Sequence, residues 1–218
     1  MEWTRQIDGY CERLDASFWA EPVNAATNLA FVLAAWIMWR RCRGQGLMQA
    51  PLLCLLLAAI GIGSFLFHTL ATAWAGLADV IPIGCFVLAY LYTAHRNFWR
   101  LPVRASKAAT AMVIPYAMLT VPVFEALPGF AVSAVYWPVP VLIAVHALAL
   151  SRRAPATARG LGIGAGLLCL SLVARSLDES LCSAWPIGTH FAWHLLNAAM
   201  LGWMIEVYRR HMVAGRPA

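Results

Sequence analysis

Charge is scarce in this chain. Only 12% of its 218 residues are Asp, Glu, Lys or Arg, whereas a soluble domain carries about 25%. That deficit excludes an ordinary water-soluble domain. Acidic residues are the rarer sign, ten against sixteen basic. The chain also lacks a low-complexity tract and an internal repeat, which sets aside solenoid and propeller architectures. The first 21 residues contain Glu2, Asp8, Glu12, Asp15 and Glu21 and no apolar core. They are therefore expected to form an acidic extramembrane segment and not a signal peptide.

What the chain has in quantity is apolar length. It is 61% hydrophobic, with a mean hydropathy of +0.68, and several runs reach the roughly 17–25 residues needed to cross a bilayer. The pattern predicts an all-α polytopic membrane protein, one domain over 1–218. Seven spans are expected at about 22–40, 49–69, 77–95, 108–124, 131–150, 160–177 and 187–208, followed by a tail over 209–218.

The net charge of +6 is a topology signal and not a nucleic-acid footprint. Thirteen of the sixteen basic residues fall in alternate gaps between spans or in the C-terminal tail: Arg40, Arg41 and Arg43, then Arg96, Arg100, Arg104 and Lys107, then Arg152, Arg153 and Arg159, and finally Arg209, Arg210 and Arg216. Only Arg5, Arg13 and Arg175 fall on the other side. The positive-inside rule then places the N-terminus outside and the C-terminus in the cytoplasm, which requires an odd number of spans.

That orientation brings five polar residues to one level. Ser64 and His68 are four apart near the outer end of span 2, Asp79 starts span 3, and His190 and His194 are four apart at the top of span 7. Residues i and i+4 share a helix face. Two such faces turned together hold three imidazoles around one point, and three neutral histidines suit zinc with a fourth position left for water. Ionisable groups inside a membrane cost about 2.5–3.5 kcal/mol per charge at the helix centre and mark functional sites. The bland alternative for any one histidine is a hydrogen bond across helices, but three on two helices, level with an acid and a serine, favour metal. The His190-Phe-Ala-Trp-His194 turn has the spacing of a zincin helix without its glutamate, so a base must come from elsewhere. Asp79 is the acid at that level, and Ser64 is placed to donate to an oxyanion, or simply to pack between helices. His95, His146 and His211 lie toward the other end and name no partner.

Of six cysteines, Cys54, Cys85 and Cys169 are mid-span and Cys42 faces the cytoplasm. Cys11 and Cys182 share the outer side, where disulfides persist. Sidedness alone leaves a bridge or two thiols open.

At these residues the chain resembles the alkaline ceramidase family, seven-span zinc amidases that cleave the N-acyl bond of ceramide. The matching stretches are Tyr10-Cys11-Glu12, Glu21 with Asn24 and Asn28, Gly63-Ser64-Phe65-Leu66-Phe67-His68 with Asp79, and Asp178 to Cys182 followed by the His190–His194 turn. The resemblance implies that His68, His190 and His194 bind zinc, that Asp79 and Ser64 complete the catalytic site, and that Cys11 and Cys182 are bridged. It also implies a calcium site in the N-terminal segment, with Glu12 and Glu21 as acidic ligands. The interval between them is shorter here, and Leu14 stands where an asparagine is expected, with Asp15 beside it. Calcium on Glu12, Asp15 and Glu21 is therefore left open.

The expected activity is hydrolysis of ceramide, or another N-acylated lipid drawn from the bilayer, in a bacterial inner membrane. The expected cofactor is zinc, and no protein or nucleic-acid partner is implied. Two other classes share the residues: a seven-span lipid receptor of the progestin and adipoQ receptor type with structural zinc, and a metal or proton transporter. A transporter needs ionisable groups through the membrane depth, whereas here they gather at one end.

Overall fold

The computed structural model describes residues 2–215; Met1 and residues 216–218, with Arg216 of the predicted tail, lie outside the described residues. The chain folds into helices α1 (Pro22–Cys42), α2 (Ala50–Leu70), α3 (Ala73–Asn97), α4 (Val103–Ala126), α5 (Pro138–Leu150), α6 (Pro155–Leu181) and α7 (His190–Ala214). Among the described residues there is no strand beyond one isolated bridge between Gln6 and Thr72. Five of the helices, α1, α2, α3, α4 and α6, are long and apolar enough to cross a membrane.

Several boundaries differ from the sequence expectation. The span expected over 131–150 is a helix only from Pro138, preceded by a 3-10 turn at Ala131–Ser133. Pro138, with its fixed φ and no N–H, is suited to a helix's first position and starts α5 there. At about 1.5 Å per residue the thirteen residues of α5 fall short of a 30 Å hydrocarbon core. Conversely, α7 runs on through Ala214 into the expected tail. Its last turns are held by Arg209 and Arg210, which bond back to Glu206 at i,i+3 and i,i+4. Helix α3 begins at Ala73, so Asp79 sits in its second turn and not at its head. Helix α1 is interrupted at Asn28, whose side chain donates to the Asn24 carbonyl at 2.9 Å and competes with the helical ladder.

The helices pack in an up-and-down bundle. Helix α2 lies between α1 and α3, α7 lies between α1 and α6, and α2 and α7 meet in the middle. Phe31, Leu57, Ile60, Leu172, Ile205 and Tyr208 fill the centre, none more than 1% exposed. Two glycines let α2 approach both neighbours. A Cβ at Gly63 would lie 2.0 Å from the Ala78 carbonyl oxygen of α3, and one at Gly61 would lie 3.0 Å from the Asn28 carbonyl oxygen of α1. Helix α4 is peripheral, and its Met118 and Leu119 are 73% and 75% exposed, an apolar surface of the kind that faces lipid.

The N-terminal segment lies over one end of this bundle. The Ile7 N–H donates to the Ala71 carbonyl at 2.7 Å, and the Ala73 and Trp74 N–H groups donate to the Arg5 and Trp3 carbonyls. The strap thus crosses the α2–α3 turn, at the end that holds the histidines. Arg40, Arg41, Arg43, Arg96, Arg100, Arg152, Arg153, Arg209 and Arg210 lie at the other ends of the helices and in the loops that join them.

Candidate metal centre

His68 comes from the last turn of α2, and His190 and His194 from the first turns of α7. All three are buried, at 1%, 2% and 0% exposure. Their ring centroids are 4.7 to 5.1 Å apart, and one ligand atom from each lies within 4.8 Å of the others. Among the described residues this is the one group of three such side chains close enough to hold a metal.

The surrounding bonds fix how the rings are used. His68 Nδ1 is 2.6 Å from Glu21 Oε2; the carboxylate accepts, so Nδ1 carries a proton and Nε2 is the nitrogen turned to the centre. Thr27 Oγ1 donates to the Val23 carbonyl at 2.8 Å and is 2.9 Å from His194 Nδ1, which makes that nitrogen the donor and again turns Nε2 to the centre. The two Nε2 atoms then face each other at 3.1 Å. That spacing suits two nitrogens bridged by a shared proton or a shared metal ion. Ligand nitrogens at about 2.0–2.1 Å from a tetrahedral zinc would lie about 3.3 Å apart. His190 adds a buried Nδ1 with no hydrogen-bond partner. The donor set therefore fits a metal of zinc's type.

Asp79 and Ser64 are brought together beside it. The Gly63–Ala78 backbone contact sets the register of α2 on α3, and brings Ser64, buried at 3% exposure, into interaction range of the Asp79 carboxylate, which also lies within electrostatic reach of His68 and Arg175. Asp79 is partly exposed on the wall of a cavity of about 640 Å³ shared with Tyr10, Tyr136, Arg175, His190 and Trp193. The Tyr10 ring lies 3.9 Å from the His190 ring and 5.0 Å from that of His68, covering the centre. Burial raises the Tyr10 hydroxyl pKa above its usual range.

The strap is pinned in two ways. Cys11 and Cys182 are joined by a disulfide. Asp178, 2% exposed, accepts from the N–H groups of Cys11, Thr189 and His190 at 3.0, 2.6 and 2.8 Å. It thereby caps the start of α7 from eleven or twelve residues away, satisfying donors a helix end leaves free. Gly188 makes room for this, since at φ +69 a Cβ there would lie 2.1 Å from Asp178 Oδ1. The roles of Asp178, Thr27 and Tyr10 escape sequence reading because each depends on contacts distant in the chain. The Tyr10-Cys11-Glu12 and Asp178–Cys182 stretches were the only signals.

The three acids proposed for calcium are not gathered around one point. Glu12 accepts from the Val23 and Asn24 N–H groups at 2.7 and 2.8 Å with its two oxygens, capping α1. Asp15 is exposed and accepts from the Ser17 N–H at 2.8 Å, and the Ser17 hydroxyl together with that N–H lowers its pKa. Glu21 gives one oxygen to Arg13 and the other to His68 and Asn24. Burial works to raise the Glu21 pKa, yet the bonds from His68, Arg13 and Asn24 outweigh it and hold the carboxyl below its usual range. With these oxygens committed elsewhere, the set does not fit a calcium ion.

Comparison with known sequences finds no match among curated proteins. Residues 5–213 match the family model described as Ceramidase. That match covers nearly the whole chain and takes in every residue of the histidine centre, so the protein belongs to the ceramidase family.

Proposed function

We propose that the protein is a seven-helix membrane amidohydrolase that uses zinc to cleave the N-acyl amide of ceramide or a similar N-acylated lipid. Water is added across the C–N bond, giving a fatty acid and a long-chain amine. Family membership supports ceramide hydrolysis. The observation that carries the mechanism is the gathering of His68, His190 and His194, with the Nε2 atoms of His68 and His194 facing each other 3.1 Å apart, beside an acid on a cavity wall. Zinc held by His68, His190 and His194 supplies a Lewis acid that polarises a carbonyl and lowers the pKa of water to about 7.

The chain's own groups do the rest. Asp79 accepts the proton of the attacking water and delivers it to the leaving amine nitrogen. Ser64 donates its single hydroxyl proton to the oxyanion. Tyr10 and Trp193 cover the cavity and exclude bulk water. Ile83 and Tyr136 line both the cavity and an apolar groove that continues past Phe86, Leu142 and Met200. That groove suits an acyl chain entering between α3, α5 and α7.

Two experiments test this reading. Purified protein should contain about one zinc per chain and release fatty acid from ceramides or other N-acyl lipids in detergent. Zinc without turnover on any of them would turn the reading toward a lipid receptor. For topology, the gathering of arginines at the end opposite the histidines supports an external N-terminus. An impermeant thiol reagent on intact cells should label a cysteine placed at Gly129 and spare one placed at Met48, which is 85% exposed at the opposite end; reversed labelling would put the site on the cytoplasmic face.

A further inference from the structure

Arg13 sits where the strap meets the metal centre. It is 6% exposed, unusual for an arginine. Its Nε donates to Glu21 Oε1 at 2.5 Å, Nη1 to the Asp15 carbonyl at 3.1 Å and Nη2 to the His68 carbonyl at 3.1 Å. All three nitrogens are used, and they reach three separate parts of the chain: the strap, the start of α1 and the end of α2. The acceptors are one carboxylate and two carbonyls. Such hard oxygens suit calcium, but here a rigid guanidinium fork satisfies them.

The neighbouring positions agree. Leu14, where a side-chain oxygen is expected, is apolar and 90% exposed. Among the described residues Glu21 is the one carboxylate ion-paired with Arg13, and its charge is already matched. A dication added beside the guanidinium would meet a buried like charge, which is costly away from water.

We propose that Arg13 is a built-in cation. Its guanidinium does the structural work of a divalent ion, tying the strap to the end of α2, so the protein folds and functions without calcium. Arg13 is also a positioning residue. By holding one oxygen of Glu21, it fixes the other 2.6 Å from His68 Nδ1, which sets the tautomer and orientation of a metal-binding ring. This second role rests on the zinc reading; calcium independence does not.

The test uses full-length protein purified in detergent and passed over a chelating resin. Calcium chloride is titrated to millimolar levels while thermal unfolding is followed, and zinc affinity is measured by competition with a chromophoric chelator. Calcium should leave the wild-type unfolding midpoint unmoved. Arg13→Ala should weaken zinc binding by about 10–100-fold, as loss of an outer-shell partner does, while Arg13→Lys, which keeps the charge without the fork, should restore only part of it. If Arg13→Ala does not fold, Arg13→Lys carries the zinc measurement. A calcium-dependent rise in the wild-type midpoint would overturn the built-in cation, and wild-type zinc affinity in Arg13→Ala, or in Arg13→Lys where the alanine variant does not fold, would overturn the positioning role. Absence of zinc from the wild type would instead fail the hydrolase reading and leave the calcium result standing.

Discussion

The protein buries a glutamate at each end, and the two are used differently. Glu206, 4% exposed, is surrounded by guanidinium groups: Arg41 at 3.1 Å, Arg209 at 2.8 Å and Arg210 at 2.7 Å. Those arginines are themselves 50%, 18% and 59% exposed, and the cluster joins the end of α1 to the end of α7. Glu21, 2% exposed, divides its oxygens between Arg13, Asn24 and His68. A carboxylate saturated by arginines ends its network and serves as a clamp. One that spends an oxygen on an imidazole passes its influence to the ring's other nitrogen. The histidine end therefore turns imidazole nitrogens toward one point, and the arginine end closes a bundle.

The largest effects should separate the two ends cleanly. His68→Ala, His190→Ala and His194→Ala should each lose zinc, read by elemental analysis, and all measurable turnover, whereas Glu206→Gln should keep about one zinc per chain. Zinc retained in the alanine variants would mean that the metal sits elsewhere. Next, Asp79→Asn keeps the side-chain shape but cannot accept a proton. It should retain zinc and lose about 10²–10⁴-fold in turnover. Ser64→Ala should lose about 10²–10³-fold, as removal of an oxyanion donor does. A fully active Asp79→Asn protein would remove Asp79 from the chemistry.

A matched pair of glycines tests the packing behind that site. At the histidine end a Cβ on Gly63 would meet backbone, 2.0 Å from the Ala78 oxygen, and backbone cannot turn aside. At the arginine end a Cβ on Gly160 would meet the Val207 side chain at 2.7 Å, which can rotate. Gly63→Ala should therefore push α2 off α3 and part Ser64 from Asp79. A displacement of about 1 Å at a catalytic group can cost about 10²-fold. Zinc should remain, because all three ligands lie on α2 and α7. Gly160→Ala should cost about 1 kcal/mol of stability, read as a small fall in Tm, with turnover kept. Equal turnover losses in the two variants would show that Gly63 has no special role in register.

Much of the histidine end was legible in the sequence because its spacing is local. Ser64 and His68, and His190 and His194, are one helical turn apart, and a four-residue interval fixes a shared face. The apolar runs likewise announced helices. What escaped depends on chain-distant contacts or on helix ends. The α5 start at Pro138 and the extension of α7 to Ala214 moved because proline geometry and the Glu206 pairs outweigh hydropathy at the ends. The calcium expectation followed residue identity at Glu12, Asp15 and Glu21. Nothing local says that Glu12 caps α1, or that Arg13 turns inward to Glu21. A charged residue in an acidic segment reads as solvated until its partner, here 55 residues away at the His68 carbonyl, is placed.

The smallest effect is the most direct test of the two glutamates. Glu21→Gln keeps the size of the side chain and one carbonyl oxygen to accept from His68 Nδ1, but removes the charge that makes this bond strong and orders Arg13. Loss of an outer-shell carboxylate typically costs about 10–100-fold in metal affinity, so zinc should bind more weakly by that factor in chelator competition. Glu206→Gln removes the same charge from a comparably buried position, yet its partners are arginines that can turn to water. Two of those arginines, Arg41 and Arg210, are 50% and 59% exposed, and pairs to such partners are worth about 0–1 kcal/mol each. That variant should unfold at a modestly lower temperature and bind zinc as the wild type does. If both substitutions weaken zinc equally, the effect is general loosening of the bundle and the distinction between clamp and relay fails. If only Glu21→Gln does, the carboxylate at the histidine end acts on the metal centre through His68.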